Sequence, residues 1–158
     1  MTVRNPELVI DRGSFMLGMI NCFAEMVECG VKDLALSPPL SPEDYELLGA
    51  ASEEIAERCG VQWYLEESLM VTDLQTPEFT AGKVSILYFR ERRTLEAYQS
   101  LKRRKSELEA GGRYDAEQRR QISREFMELL SYPEDVINEK LAQAGSRDPY
   151  LHVSSGGE

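Results

Sequence analysis

Short apolar segments alternate with helix-forming segments through the first ninety residues, and this alternation limits the folds open to the chain. Apolar runs occupy 34–36, 61–65 and 84–89, with a briefer one at 8–10. Helices between short apolar strands are typical of βαβ units, whose strands are parallel. The sequence therefore predicts an α/β fold with a small, mostly parallel sheet of about four strands flanked by helices.

Two segments between these runs have helical spacing. We predict one helix over 15–29, capped by Ser14, and a second over 42–59, capped by Ser41. Serine is favoured at both positions because its hydroxyl accepts a hydrogen bond from a free amide of the first turn. A glycine follows each segment, which is a common helix stop.

The pattern changes after Arg90, where charged helical segments replace the apolar runs. Predicted helices span 94–110, 115–130 and 134–142, and paired glycines at 111 and 112 separate the first two. These changes divide the chain into three parts. They are an α/β sheet core at 1–90, a helical extension at 91–144 that packs on the core or on a partner, and a tail without periodicity at 145–158.

The balance of charge argues against polyanionic partners. The 158 residues include 28 acidic and 18 basic side chains, for a net charge of −10. An acidic protein is not steered toward nucleic acid or anionic membranes, so we expect neither as a partner. Residues 90–124 form an exception, with 11 basic against 6 acidic groups, a net of +5. We expect this basic segment to pair with acidic groups inside the fold.

Cysteine and histidine usage argues for a reducing compartment and against common metal centres. The chain has three cysteines without a CxxC pair, and its single histidine is His152. No apolar run reaches the roughly 18 residues that span a bilayer. We therefore predict a cytoplasmic protein without a membrane segment or a metal site, and the sequence identifies no cofactor.

Polar residues follow the predicted strands, and the carboxyl ends of parallel strands meet at one edge where α/β proteins bind ligands. We expect this edge to bind a small polar or anionic ligand. In this hypothesis Arg12 and Arg90 clamp an anionic group, while Asp11 and Glu66 accept hydrogen bonds from hydroxyls or an amine. The candidate contacts are Asp11, Arg12, Ser14, Asn21, Ser37, Glu66 and Arg90.

Two other functions remain open at this point. The charged helices of the extension could form a homodimer or a complex with another protein, with the sheet as scaffold. The protein could also be a hydrolase or lyase with Asp11 or Glu66 as general base. The sequence contains no complete catalytic motif and no evident nucleophile–base pair, which places the enzyme hypothesis last.

Overall fold

The computed structural model of the chain describes residues 9–143. Helices account for most of this part, and three short strands lie among them. In chain order the elements are α1 (Arg12–Glu28), β1 (Leu34–Leu36), α2 (Pro42–Cys59), β2 (Gln62–Glu66), α3 (Pro77–Thr80), β3 (Ser85–Phe89), α4 (Arg92–Ala110), α5 (Ala116–Leu129) and α6 (Glu134–Ala142).

The sheet has the order β1-β3-β2, and both pairings are antiparallel. The prediction of about four mostly parallel strands is therefore wrong. A parallel neighbour usually requires a crossover helix that packs on the sheet, but the connection from β2 to β3 contains only the four-residue α3. The predicted strand at 8–10 is not present either, since Val9 and Ile10 are irregular and residue 8 lies outside the described part.

Strand β3 lies at the centre of the molecule, and all five of its residues are buried. Ile86 and Tyr88 face the layer formed by α1 and α2. Leu87 and Phe89 face the opposite layer, formed by α4 and α5. The result is a three-layer arrangement in which the sheet separates two apolar cores. A strand buried on both faces gives a continuous apolar run, which explains why β3 has the sequence pattern of a parallel strand.

The first helical layer is fixed by caps at both helix starts. The side chain of Ser41 accepts a hydrogen bond from the amide of Asp44, and the Asp44 carboxylate accepts one from the Ser41 amide, which confirms the predicted cap as a capping box. In α1 the N-cap is Asp11 and not the predicted Ser14. The Asp11 carboxylate accepts a hydrogen bond from the Ser14 amide at 2.7 Å. Helix α1 buries residues spaced four, four and three apart, namely Met16, Ile20, Ala24 and Val27.

The second layer covers the other face of the sheet with the helices of the basic segment. Helix α4 buries Leu95, Tyr98 and Leu101, and the Tyr98 ring lies 6.1 Å from that of Phe126 in α5. Helix α6 extends this layer through Ile137 and its neighbours. Within residues 9–143, no helix combines the length and the apolar character that a membrane crossing requires.

The end of α5 is fastened to the segment before β1. The Lys32 ammonium donates to the carbonyl of Leu130, and the Asp33 amide donates to the Ser131 hydroxyl at 3.1 Å. Ser131 has a positive φ of 63°, in the left-handed region that suits the chain reversal after a helix. These bonds place Asp33 beside α5, where it becomes part of the groove described below.

We predict that β3 controls the stability of the whole domain. Leu87→Ala removes a fully buried side chain from the central strand and should lower the free energy of unfolding by about 2–5 kcal/mol. Leu47→Ala is the matched control, because Leu47 is 75% exposed in α2 and should change stability by less than about 0.5 kcal/mol. Urea unfolding monitored by circular dichroism measures both. Equal losses would contradict the central role of β3.

Candidate ligand-binding site

A groove runs between α4 and α5 on the side of the sheet where β1 lies. We call it the α4–α5 groove. It consists of two adjoining cavities of about 310 and 320 Å³ that share Asp33, Ala97 and Leu129. Ala97 and Leu129 supply apolar surface, and charged side chains supply the rest. The volume of each cavity lies at the lower end of the range for small-molecule sites.

The first cavity lies at the carboxyl end of β3, where the chain turns into α4. Arg90, Glu91, Arg93 and Asp33 line it. Arg93 is paired with Glu91 at 2.6 Å, but its side chain is 80% exposed, so solvent screens the pair. Arg90 has no ion-pair partner within residues 9–143. The lining of this cavity therefore includes one arginine without an ion-pair partner in this part of the chain and one that is weakly paired.

Gly30 sets the position of Arg90. It follows α1 with a φ of 77°, a conformation that side-chain-bearing residues rarely adopt. A Cβ atom at this position would lie 3.2 Å from the Arg90 Nη2. The guanidinium thus packs directly over the backbone that links α1 to β1. Gly30, which the sequence predicted as the residue that ends α1, also leaves room for the Arg90 side chain.

Within residues 9–143, the single cation of the second cavity is neutralised by an ion pair across the groove, and Asp33 and Glu128 make the rest of its lining acidic. Arg104 of α4 lies 2.6 Å from the carboxylate of Glu125 in α5. Burial acts to raise the pKa of Glu125, but hydrogen bonds from Arg104 and Gln121 outweigh it and hold that pKa below its ordinary value. Glu125 is therefore a charged partner of Arg104, which leaves the first cavity as the part with available positive charge.

The structure does not bring the sequence-predicted site residues together. Because β1 and β2 run opposite to β3, Ser37 and Glu66 emerge at one end of the sheet and Arg90 at the other. Arg12 pairs with Asp44 at the start of α1, whereas Arg90 lies beyond its far end, about 25 Å away along a 17-residue helix. The two arginines do not form a clamp.

The remaining predicted residues make hydrogen bonds within the fold. Asp11 caps α1, and hydrogen bonds from the Ser14 side chain and amide hold the pKa of Asp11 below its ordinary value. Asn21 accepts from Arg58 at 2.7 Å and ties α1 to α2. Ser37 is buried, and its hydroxyl accepts the amide of Ile86 at 2.9 Å.

Glu66 is buried at the end of β2 and fully engaged. Its carboxylate accepts the Tyr98 hydroxyl at 2.8 Å, the Lys102 ammonium at 2.7 Å and the Ser68 amide at 2.9 Å. Burial raises the pKa of Tyr98 far above its ordinary value, and the Glu66 charge adds to that shift. With its oxygens occupied, Glu66 joins β2 to α4 rather than facing a substrate. Among the described residues, no group of three or more acidic, cysteine or histidine side chains is placed to hold a metal ion.

Arg93 and Asp33 belong to the groove but were not among the predicted contacts. A sequence signal for Arg93 exists: arginines occupy 90, 92 and 93 at the start of a helix, where acidic residues are normally preferred. No comparable signal marks Asp33, because it reaches the groove only through the antiparallel placement of β1 beside β3.

Known proteins offer no guide to the function of this groove. No protein-family model matches the chain, and no curated protein or solved structure matches it either. The function is therefore argued from the groove and its charges.

The Glu66 network gives a prediction about stability. Glu66→Ala leaves the Tyr98 hydroxyl and the Lys102 ammonium without their buried partner. This change should lower the free energy of unfolding by about 3 kcal/mol. Glu67→Ala is the matched control, because the adjacent side chain is exposed and should change stability by less than about 0.5 kcal/mol. Chemical denaturation at neutral pH measures both variants. A Glu66→Ala protein as stable as the control would contradict the proposed joining role.

The same network predicts a loss of stability at high pH. The raised pKa of Tyr98 means that the unfolded chain releases this proton first, so the free energy of unfolding falls as pH rises above about 10. Tyr98→Phe removes this group and should make the slope shallower by up to about 1.4 kcal/mol per pH unit. Urea midpoints at several values between about pH 9 and 11 measure the slope. An unchanged slope in Tyr98→Phe would refute the prediction.

Proposed function

We propose that the protein binds a small anionic ligand, with a phosphate or carboxylate group, in the α4–α5 groove at the carboxyl end of β3. The observation that carries this proposal is that two arginines, Arg90 and Arg93, line one cavity of about 310 Å³. Guanidinium groups match the planar geometry of carboxylate and the tetrahedral oxygens of phosphate, and they form strong charge-assisted hydrogen bonds with both.

The charge at the start of α4 supports the same ligand class. The first turn of this 19-residue helix contains no acidic residue, and its N-cap, Glu91, makes no side-chain capping bond. In the described part of the chain, Arg92 and Arg93 of this turn are paired only with exposed carboxylates, those of Glu96 and Glu91. Water screens these pairs, so a bound anion gains attraction from Arg93 and from the positive end of the helix dipole.

The other lining groups suit a ligand that is polar beyond its anionic group. Asp33 and Glu91 bring carboxylate oxygens to the same cavity and can accept hydrogen bonds from hydroxyls or an amine. Ala97 and Leu129 contribute apolar surface for a short carbon skeleton. A small phosphorylated or carboxylated metabolite satisfies all three features.

The alternative functions gain less support from the geometry. A homodimer through the charged helices would need exposed apolar surface there, but α4 and α5 turn their apolar faces toward the sheet. Several cations of the basic segment are also paired internally, as with Lys102 and Glu66 or Arg119 and Asp73. As a general base, Glu66 would first have to lose its three hydrogen-bond donors.

Binding of pyrophosphate and of citrate tests the proposal. At ten times its dissociation constant, either probe should stabilise the native state by about 1.4 kcal/mol. For a domain of this size, that gain corresponds to a rise in melting temperature of about 5 °C. Arg93→Glu should weaken binding at least about tenfold, because it replaces attraction with repulsion at the site. Thermal shift and isothermal titration calorimetry measure the two effects.

Arg103→Glu is the matched control. Arg103 is also an exposed arginine of α4, the substitution changes the charge equally, and neither cavity includes this residue. The control should bind both probes as the wild type does. If neither probe raises the melting temperature, or if both variants lose affinity equally, the groove is not an anion site.

A further inference from the structure

The two edges of the sheet differ in how they are covered. The β1 edge is three residues long, two prolines follow it closely, and bonds from Lys32 and Asp33 to the end of α5 fasten it. The β2 edge is five residues long and has no partner strand within residues 9–143. A strand with an open edge is a template for pairing with another strand.

The hydrogen bonds of β3 show which groups β2 presents outward. The amide of Ser37 donates to the Ile86 carbonyl, and Val84 exchanges two bonds with Leu40, so the even-numbered residues of this segment point toward β1. The odd-numbered residues therefore bond to β2, where Tyr64 is opposite Leu87. By alternation, the amides and carbonyls of Trp63 and Leu65 point away from the sheet.

Two large aromatic side chains lie exposed at the middle of this edge. Trp63 is 37% exposed and Tyr64 is 38% exposed, and they extend to opposite faces of the sheet because they are adjacent in a strand. The five residues pair with β3 without a bulge, and the strand contains neither proline nor lysine. Of the devices with which proteins protect an edge strand, β2 has an inward-pointing charge, Glu66 at its end, and this leaves the middle of the strand open to pairing.

We propose that the β2 edge pairs with β2 of a second copy of this chain, in antiparallel register around a two-fold axis at Tyr64. In that register Trp63 is opposite the partner's Leu65, and the two residues exchange both backbone bonds. The two-fold axis repeats these two bonds between Leu65 and the partner's Trp63, for a total of about four hydrogen bonds. The two sheets become one sheet of six strands.

The sequence of β2 is complementary to itself in this register. Trp63 packs beside the partner's Leu65 on the α1–α2 face, and the two Tyr64 rings meet on the α4 face as a close, non-hydrogen-bonded pair. At the ends Gln62 is opposite the partner's Glu66, an amide against a carboxylate. Like charges are not opposed at any position, which is the specific reason to choose a second copy over an unrelated strand.

The charge of the chain sets the expected strength. Each copy has a net charge of −10, and the ladder is short. We therefore expect a dissociation constant of roughly 1–100 μM, and tighter association as salt screens the repulsion between copies. The α4–α5 groove lies beside the opposite edge of the sheet, so this inference is independent of the proposed ligand.

Sedimentation velocity of the full chain from about 0.2 to 500 μM, a range that brackets the expected dissociation constant, tests the proposal. The wild type should shift from monomer to dimer. Trp63 is the only tryptophan, so its fluorescence should move to shorter wavelength over the same range as the ring becomes buried. Leu47→Lys, at an exposed position of α2, should dimerise normally and controls for an added charge on an apolar surface residue.

Charged variants at the two-fold axis test the register. Tyr64→Lys and Tyr64→Glu should each weaken dimerisation at least about tenfold, because each places like charges opposite one another. Mixing the two variants should restore a dimer, since lysine then faces glutamate. Circular dichroism and thermal unfolding establish that both variants are folded.

A wild type that remains monomeric at the highest concentration overturns the proposal, and a strand from another protein then becomes the alternative occupant. A dimer that persists unchanged in Tyr64→Lys also overturns it, because the interface is then elsewhere. Mixed variants that stay monomeric refute pairing about Tyr64.

Discussion

The burial of β3 on both faces is the interaction on which the rest of the structure depends. Its alternate side chains hold two separate apolar cores, one under α1 and α2 and one under α4 and α5. The two helical layers lie on opposite faces of the sheet, so their relative position depends on this strand. The position of the groove also depends on β3, because Arg90 follows the last residue of β3 and α4 begins two residues later.

Local pairing explains how an acidic protein accommodates a strongly basic segment. Most of its ion pairs are short-range or cross to a neighbouring helix, and the most buried of them, Lys102 with Glu66, lies against the sheet. Exposed pairs of this kind contribute little to stability, whereas the Glu66 network is protected from solvent. Arg93 at the start of α4 differs because it also lines a cavity.

The groove and the open edge of β2 occupy opposite sides of the sheet, and this separation has a functional consequence. A dimer through β2 would leave both copies of Arg90 and Arg93 accessible to a ligand. Dimerisation and ligand binding are then compatible, and the Gln62 side chain of β2, which donates to the Arg90 carbonyl at 2.8 Å, is the contact that would carry any coupling between them. Such coupling requires that a ligand interact differently with the two states, so it does not follow from proximity alone.

Local features of the fold can be predicted from the sequence alone. The Ser41 cap, the glycine stop after α2 and the apolar runs at β1, β2 and β3 were all predicted, because caps and burial depend on a few neighbouring residues. Strand direction was not, since a strand buried on both faces has the same composition in a parallel and an antiparallel sheet. The direction of each strand decides which of the polar residues at the strand ends lie close together. Arg90 was predicted as a ligand contact and lines the groove, but its neighbours there are Asp33 and Arg93 instead of Arg12 and Glu66, because long-range packing reversed β3 relative to its two partners.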